Sequence, residues 1–382
     1  MKQIKIKVTN LLLILLIGLF LSSLNSSIGV NSAEIQSNEI PEYPSLQALT
    51  PHGPIYIEYD SNFTDYSFPG TGAPGDPYRI ENYNITVSGD YPIIFSGNNT
   101  EHFVIQNCFL WSDTNTGIYL GKYYDMGEGT VSILNNIITT AYNPGIDMVG
   151  GNYSVISGNT IDSETIGMEI VDSDFTTVSE NIVTSKNEGI YVEYSQNLSI
   201  SRNTCFGSND YGMMTDHCSN TVISYNNCSH NYVGMFIYEA YNDTITNNIL
   251  VNNTNNGIDA SHCYDTVFKN NLLQNNTDYG IYIMLTSADN ILHHNAFIDN
   301  NGGGVQANDD GSNNIWFDTV TLEGNFYSDW VSGSYSIDGT SSSVDPYPLN
   351  AIPEIPEFSN MSLAILLVAS ISAYLFFRRR KN

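Results

Sequence analysis

Nine glycine-led segments recur at near-constant spacing through the middle of the chain. They begin at Gly117, Gly145, Gly167, Gly189, Gly212, Gly234, Gly257, Gly280 and Gly303. The successive gaps are 28, 22, 22, 23, 22, 23, 23 and 23 residues. Self-similarity at this period marks a solenoid whose repeats stack only on their neighbours. Within a unit, apolar residues alternate over a few positions, as in Ile156-Ser157-Gly158-Asn159-Thr160-Ile161 and Gly189-Ile190-Tyr191-Val192. That is strand periodicity, not helix periodicity. The runs are bounded by Asn, Asp, Ser and Gly, and about 22 residues suit three short strands and three turns.

The spacing therefore predicts an all-β chain: a right-handed, single-stranded parallel β-helix of about nine to ten coils of 22–23 residues over 97–314. Three columns set the register. Asn136, Asn159, Asn181, Asn203, Asn226, Asn248, Asn271 and Asn295 form one, predicted to stack as a hydrogen-bonded ladder and to supply left-handed turn residues. Asn152, Asp174, Asn197, Asn220, Asn242, Asp265 and Asp289 form a second. Ile118, Ile146, Met168, Ile190, Met213, Met235, Ile258 and Ile281, each following a repeat glycine, form the core column. Open ends of such a stack expose unpaired edges, so 51–96 and 315–350 are assigned as caps.

The two ends differ from the middle. Lys2, Lys5 and Lys7 precede the apolar run Leu11–Leu21, and small and polar residues follow to Ala33, which reads as a secretory signal peptide over 1–33. Residues 34–50 form a leader. At the other end, 351–360 is a linker and 361–377 an apolar run expected as a transmembrane helix. The basic tail 378–382 should stay cytoplasmic. The expected product is exported and membrane-anchored, with its repeats on the extracellular face.

Two resemblances extend this reading. Gly75-Asp76-Pro77-Tyr78-Arg79-Ile80-Glu81-Asn82-Tyr83 resembles the N-terminal lead-in of NosD-type (periplasmic copper-binding) β-helix proteins. Gly324-Asn325-Phe326-Tyr327-Ser328-Asp329-Trp330, then Val344-Asp345-Pro346-Tyr347-Pro348, resembles their C-terminal segment. The resemblance implies a parallel β-helix and a role in metal handling during maturation of a copper reductase. Pro356-Glu357-Phe358 ahead of the apolar run and the arginines resembles the PEF-CTERM tail of archaeal surface proteins. That implies archaeosortase cleavage and attachment to a lipid, with a plain membrane anchor as the alternative.

Charge narrows the partners. The chain has 12 Lys and Arg against 40 Asp and Glu. Outside the signal and the tail only Arg79, Lys122, Lys186, Arg202 and Lys269 are basic. Such a surface repels nucleic acid and acidic polysaccharide. Carbohydrate of another kind, or another surface component, is the expected partner. The five cysteines are odd in number, and Cys205 and Cys228 lie one period apart, in position to stack inward.

In a Gly-apolar-x-apolar strand the x side chain faces outward. The outward column reads Tyr119, Asp147, Glu169, Tyr191, Met214, Phe236, Asp259, Tyr282 and Gln306, and the next includes Glu193, Asp216, Tyr238 and Ser261. Tyr119, Tyr191, Asp216, Phe236, Tyr238, Asp259 and Tyr282 are the candidate ligand-binding residues, because aromatic platforms and orienting polar groups suit sugars. Asp147, Glu169 and Glu193 are the candidate catalytic carboxylates of a glycan-processing hydrolase. The same carboxylates could hold Ca²⁺ or be solvated surface groups. Many β-helix polysaccharide lyases use a basic residue, and none falls in these columns, which disfavours a lyase acting on an acidic polymer. For copper, His217 and Cys218 are the candidates, with His262 and Cys263 repeating them 45 residues on and His293-His294 a further pair. The repeats leave three functions open: a carbohydrate-binding or structural module, a glycan hydrolase, and a metal handler.

Overall fold

The computed structural model describes residues 49–97, 99–121, 129 and 131–354. The expected signal peptide (1–33), most of the leader (34–50), the membrane helix (361–377) and the basic tail (378–382) lie outside the described residues. Residues 98, 122–128 and 130 lie outside them too. Among the described residues, no helix is long and apolar enough to cross a membrane.

The chain is a parallel β-solenoid of about ten coils with three sheets of 12, 11 and 10 strands. Successive strands fall in turn into the three sheets, so each strand pairs with the third one after it. One coil runs Val155–Ser157, Thr160–Ser163 and Met168–Val171, and the next begins at Thr177–Ser179. Residues 51–96, expected as a cap, already contribute strands: Ile55–Ile57 pairs with Ile93–Phe95, and Tyr83–Val87 with Phe109–Ser112.

The core column is in register from Ile118 through Ile146, Met168, Ile190, Met213, Met235 and Ile258 to Ile281, all at most 1% exposed. Burying each such side chain contributes roughly 1.5–3 kcal/mol. Cys205 and Cys228 stack inward in register, and all five cysteines are buried free thiols. The repeat glycines are needed for closeness, not for φ. A Cβ on Gly189 would sit 2.2 Å from the carbonyl oxygen of Gly212, one coil on. Gly303 does not belong to this column. Ile281 pairs with Ala307, so Gln306 stands opposite Gly280 in the glycine position and is fully buried, not outward.

The first asparagine column forms a continuous buried ladder. Each Nδ2 donates to the Oδ1 of the next asparagine at 2.9–3.1 Å, from Asn136 to Asn295 and on to Asn325. Each Oδ1 also accepts the backbone N–H of the asparagine before it, as Asn203 does for Asn181 at 3.0 Å. The left-handed residue is not the ladder asparagine but the one before it: Asn135, Gly158, Glu180, Arg202, Tyr225, Asn247, Asn270 and His294 all have positive φ. The turn places that residue on the surface and frees the asparagine to point inward. The second polar column slips by one at its start, where Tyr153 and Phe175 hold the left-handed positions later held by Asn197, Asn220, Asn242, Asp265 and Asp289. A further ladder went unread: Asn253, Asn276 and Asn300 link to one another at 2.9 Å and end on Gln306.

Both ends are closed by aromatic rings. At the start, Phe63 in the short helix Ser61–Asp65 stacks on Tyr78 at 4.6 Å, and Phe95 on Phe103 at 4.3 Å. At the finish, Tyr327 stacks between Phe297 at 5.2 Å and Tyr335 at 3.7 Å, above an antiparallel hairpin, Tyr335–Ser336 with Val344–Asp345.

One buried acid breaks the pattern. Asp243 is 1% exposed; its Oδ1 accepts the Thr221 N–H at 2.8 Å and its Oδ2 has no partner. Burial pushes its pKa up to about 7, partly offset by the Thr221 bond. The unfolded value is about 3.9, so this group's contribution is fully present below about pH 4 and lost as pH rises through about 7. A shift of three units corresponds to roughly 4 kcal/mol. Two coils on, the same position is Asn290, whose Nδ2 donates to Cys263 and Asn314. Asp243→Asn should therefore raise stability at pH 8 and flatten the difference between pH 5 and pH 8, measured by chemical denaturation. An unchanged slope would contradict the assignment.

Candidate functional site

The outward face of the 11-stranded sheet carries the residues singled out above. In register across adjacent strands stand Tyr119, Asp147, Glu169, Tyr191, Met214, Phe236, Asp259 and Tyr282. Two residues along, Glu193, Asp216, Tyr238 and Ser261 form the second column. Neighbouring strands lie about 4.8 Å apart, so Asp147 and Glu169 are adjacent carboxylates. Glu193 stands one coil further and one column over.

The centre of the face is Tyr191. Burial first, then the charges of Glu193 and Asp216, a hydrogen bond to Glu193 and the charge of Glu169 hold its phenol well above its ordinary pKa. Its hydroxyl is therefore a donor among carboxylates. Beyond it, Tyr211 stacks on Phe236 at 4.9 Å, and Phe236 meets Tyr238 at 5.7 Å. On the other side Tyr91 packs against Tyr119 at 5.6 Å. Tyr282 donates to Asp310 at 2.9 Å. Glu188 is half-buried, and its carboxyl is pushed up by burial and by the charges of Asp210 and Glu169. Glu188 and Tyr211 were not anticipated, although each directly precedes a repeat glycine and shares one column.

Two expectations change. Asp259, expected in the outward column, is only 8% exposed. Phe236 and Tyr282 flank it, and Asn256 Nδ2 donates to its Oδ1 at 2.7 Å. Burial raises its pKa to about 6. Ser261 is likewise buried.

His217 and Cys218 do not converge. The ring of His217 lies on the surface, with Nδ1 2.5 Å from Asp216 and Nε2 2.6 Å from Glu239. Cys218 turns into the core, its thiol facing the carbonyl oxygens of Val192 and Asp216, and burial pushes its pKa up to about 12. His217 holds a left-handed turn position just past the strand Tyr211–Asp216, which leaves its ring on the surface while Cys218 turns inward, so the pair does not close on one ion. Cys263 is buried in the same way, against Ile237 and Ser261.

The described basic residues stay off this face. Lys186 pairs with Glu164, Arg79 with Asp76 and Glu81, Arg202 lies over Tyr225, and Lys269 is beside His293 on the 10-stranded sheet. A hollow near His230, Tyr232 and Thr254 shares none of the face residues.

The family model described as periplasmic copper-binding protein (NosD) matches residues 72–192, 163–259 and 189–332, together more than half of the chain. The chain belongs to the NosD family. None of the curated proteins matches it. Among solved structures, the NosD-family chain is similar to the periplasmic alginate epimerase AlgG. The identity is 15% and the TM-score 0.43, over 69% of this chain and 82% of that one. It is also similar to the Dettilon tailspike protein (13%, TM-score 0.45, 75% and 65%). A third is the A-module of the Azotobacter vinelandii mannuronan C-5 epimerase AlgE4 (12%, TM-score 0.39, 75% and 100%). Likeness this loose does not carry function.

The NosD description implies copper, and the donors decide how it fits. A Cu(I) ion wants thiolates or thioethers, but the five cysteines are buried in the stack. Imidazole and carboxylate donors, which suit Cu(II), do come together, at His293, His294 and Asp318.

Proposed function

We propose that this NosD-family chain is a right-handed β-helix that binds carbohydrate along the outward face of its 11-stranded sheet. The observation that carries the reading is the setting of Tyr191, a half-buried phenol held protonated among Glu169, Glu193 and Asp216, with the Tyr211–Phe236 stack alongside. Apolar ring faces beside fixed hydrogen-bonding groups are what a sugar presents a use for: its C–H surface lies on rings while its hydroxyls meet carboxylates and phenols. The acidic character favours a neutral or basic glycan over a polyanionic one. Ca²⁺ held by these carboxylates would be the way to admit an acidic ligand.

A glycan-array screen of the full-length protein, with and without Ca²⁺, tests this. Neutral glycans should be retained, and Tyr191→Ala should weaken retention about tenfold or more. Retention of none in either buffer would sink the reading.

One observation favours hydrolysis as a second reading. Glu188, raised in pKa, lies close to Glu169, and unequal carboxylates in proximity are how an acid and a base are set apart. Asp147, Glu169 and Glu193 supply the remaining carboxylates, and turnover lost in Asp147→Asn/Glu169→Gln would support it. From the sequence of both ends we further infer export and retention at the outer membrane face, through the 361–377 run or a lipid added at the Pro356-Glu357-Phe358 tail.

A further inference from the structure

The last strand of the 10-stranded sheet, Ile291–His293, ends beside a turn that brings back two carboxylates. His293, His294 and Asp318 each offer a ligand atom, and these atoms lie within 4.8 Å of one another. Among the described residues no other group of three His, Cys, Asp or Glu side chains converges in this way. We propose that His293, His294 and Asp318 bind one divalent transition-metal ion, Cu²⁺ or Zn²⁺, with Glu323 as the neighbouring carboxylate.

The donor set selects the ion. Two imidazoles and a carboxylate suit Zn²⁺ and Cu²⁺, whereas Ca²⁺ and Mg²⁺ want oxygen throughout and Cu⁺ wants sulfur. Bonds of 2.0–2.1 Å put tetrahedral ligand atoms about 3.3 Å apart. Small side-chain rotations close that gap.

The surroundings hold these donors in place. His293 Nδ1 and His294 Nδ1 lie 2.6 Å apart. In a hydrogen bond between these two nitrogens one is bare, the form that ligates metal, and the other must give up its proton to ligate the same ion. Asp318 is fixed by the Val320 N–H, which donates to its Oδ1 at 2.8 Å. The turn itself is closed by the Asp318 N–H donating to Glu323 and the Leu322 N–H donating to Asp318. Glu323 Oε2 lies 2.9 Å from His294 Nε2, where it orients the ring or completes the coordination. Lys269, in register with His293 on the adjacent strand, is the opposing charge, and two carboxylates outweigh it. Bound metal would tie the 318–323 turn to the end of the coil stack.

The test is calorimetric titration of the full-length, EDTA-treated protein with CuCl₂ and with ZnCl₂, followed by electron paramagnetic resonance of the Cu²⁺ form. One equivalent should bind, with splitting from two nitrogens. His293→Gln and Asp318→Asn should each weaken binding about tenfold or more. His217→Ala should leave stoichiometry and affinity unchanged. Circular dichroism confirms that each variant is folded, and Asp318→Asn alone carries the test if His293→Gln is not. Binding that survives in the folded variants, or that is lost in His217→Ala, overturns the assignment. No binding to the wild type overturns it as well.

Discussion

Replacing Asn203 by leucine is expected to destabilise the solenoid by about 3–5 kcal/mol, one of the largest effects available from a single residue. Asn203 is fully buried in the middle of the ladder. Its Nδ2 donates to Val178 and to Asn226, and its Oδ1 accepts both the backbone N–H and the Nδ2 of Asn181. Leucine is close in size but offers none of these groups. The Asn181 N–H would be left without its acceptor, and the Val178 carbonyl would lose a donor. Each buried orphan costs about 1–3 kcal/mol. Chemical denaturation measures the loss, and an unchanged midpoint would mean that the ladder does not hold the coils together.

Asp309→Ala is expected to open the C-terminal end, at a cost of similar size, about 3–5 kcal/mol. This carboxylate is fully buried where the coils stop. It accepts from the Gly311 N–H, Asn314 Nδ2 and Trp316 Nε1, each at 2.9 Å, and from Ser343 Oγ at 2.6 Å. It thereby ties the last strand to the closing hairpin. Its loss strands the Trp316 indole N–H in the core. The variant should show a red-shifted tryptophan emission and faster proteolysis between residues 310 and 345, ahead of global unfolding. Emission and digestion identical to wild type would refute the tie.

Much of this fold was legible because stacking makes each column a repeated experiment. Ile118 to Ile281 recur with one period, and only one register buries them all. Exceptions were legible only in three dimensions. Gly303 fits the period, yet the chain bulges around it and Gln306 takes its place, because nothing in a one-dimensional count reveals an inserted turn. Cys218 is next to His217 in sequence, but the left-handed turn at His217 leaves that ring outside while Cys218 points into the core. Asp259 sits in an outward column, but its burial depends on how Asn256, Phe236 and Tyr282 fold over it. The candidate face was visible as a column of aromatics and acids, whereas Glu188 and Tyr211, one position ahead, were not counted. The meeting of Asp318 with His293 and His294 joins residues about a full coil apart through an irregular turn, and no periodicity announces it.

Equilibrium binding of a retained glycan to the full-length protein tests the central claim most directly. The comparison is between wild type, the double variant Tyr191→Ala/Phe236→Ala on the 11-stranded sheet, and Phe175→Ala in the exposed Tyr153–Phe175 stack at a turn outside that face. The account predicts that the double variant loses affinity about tenfold or more while Phe175→Ala binds as wild type does. Wild-type affinity in the double variant, or a loss confined to Phe175→Ala, would place the binding surface elsewhere and contradict the account.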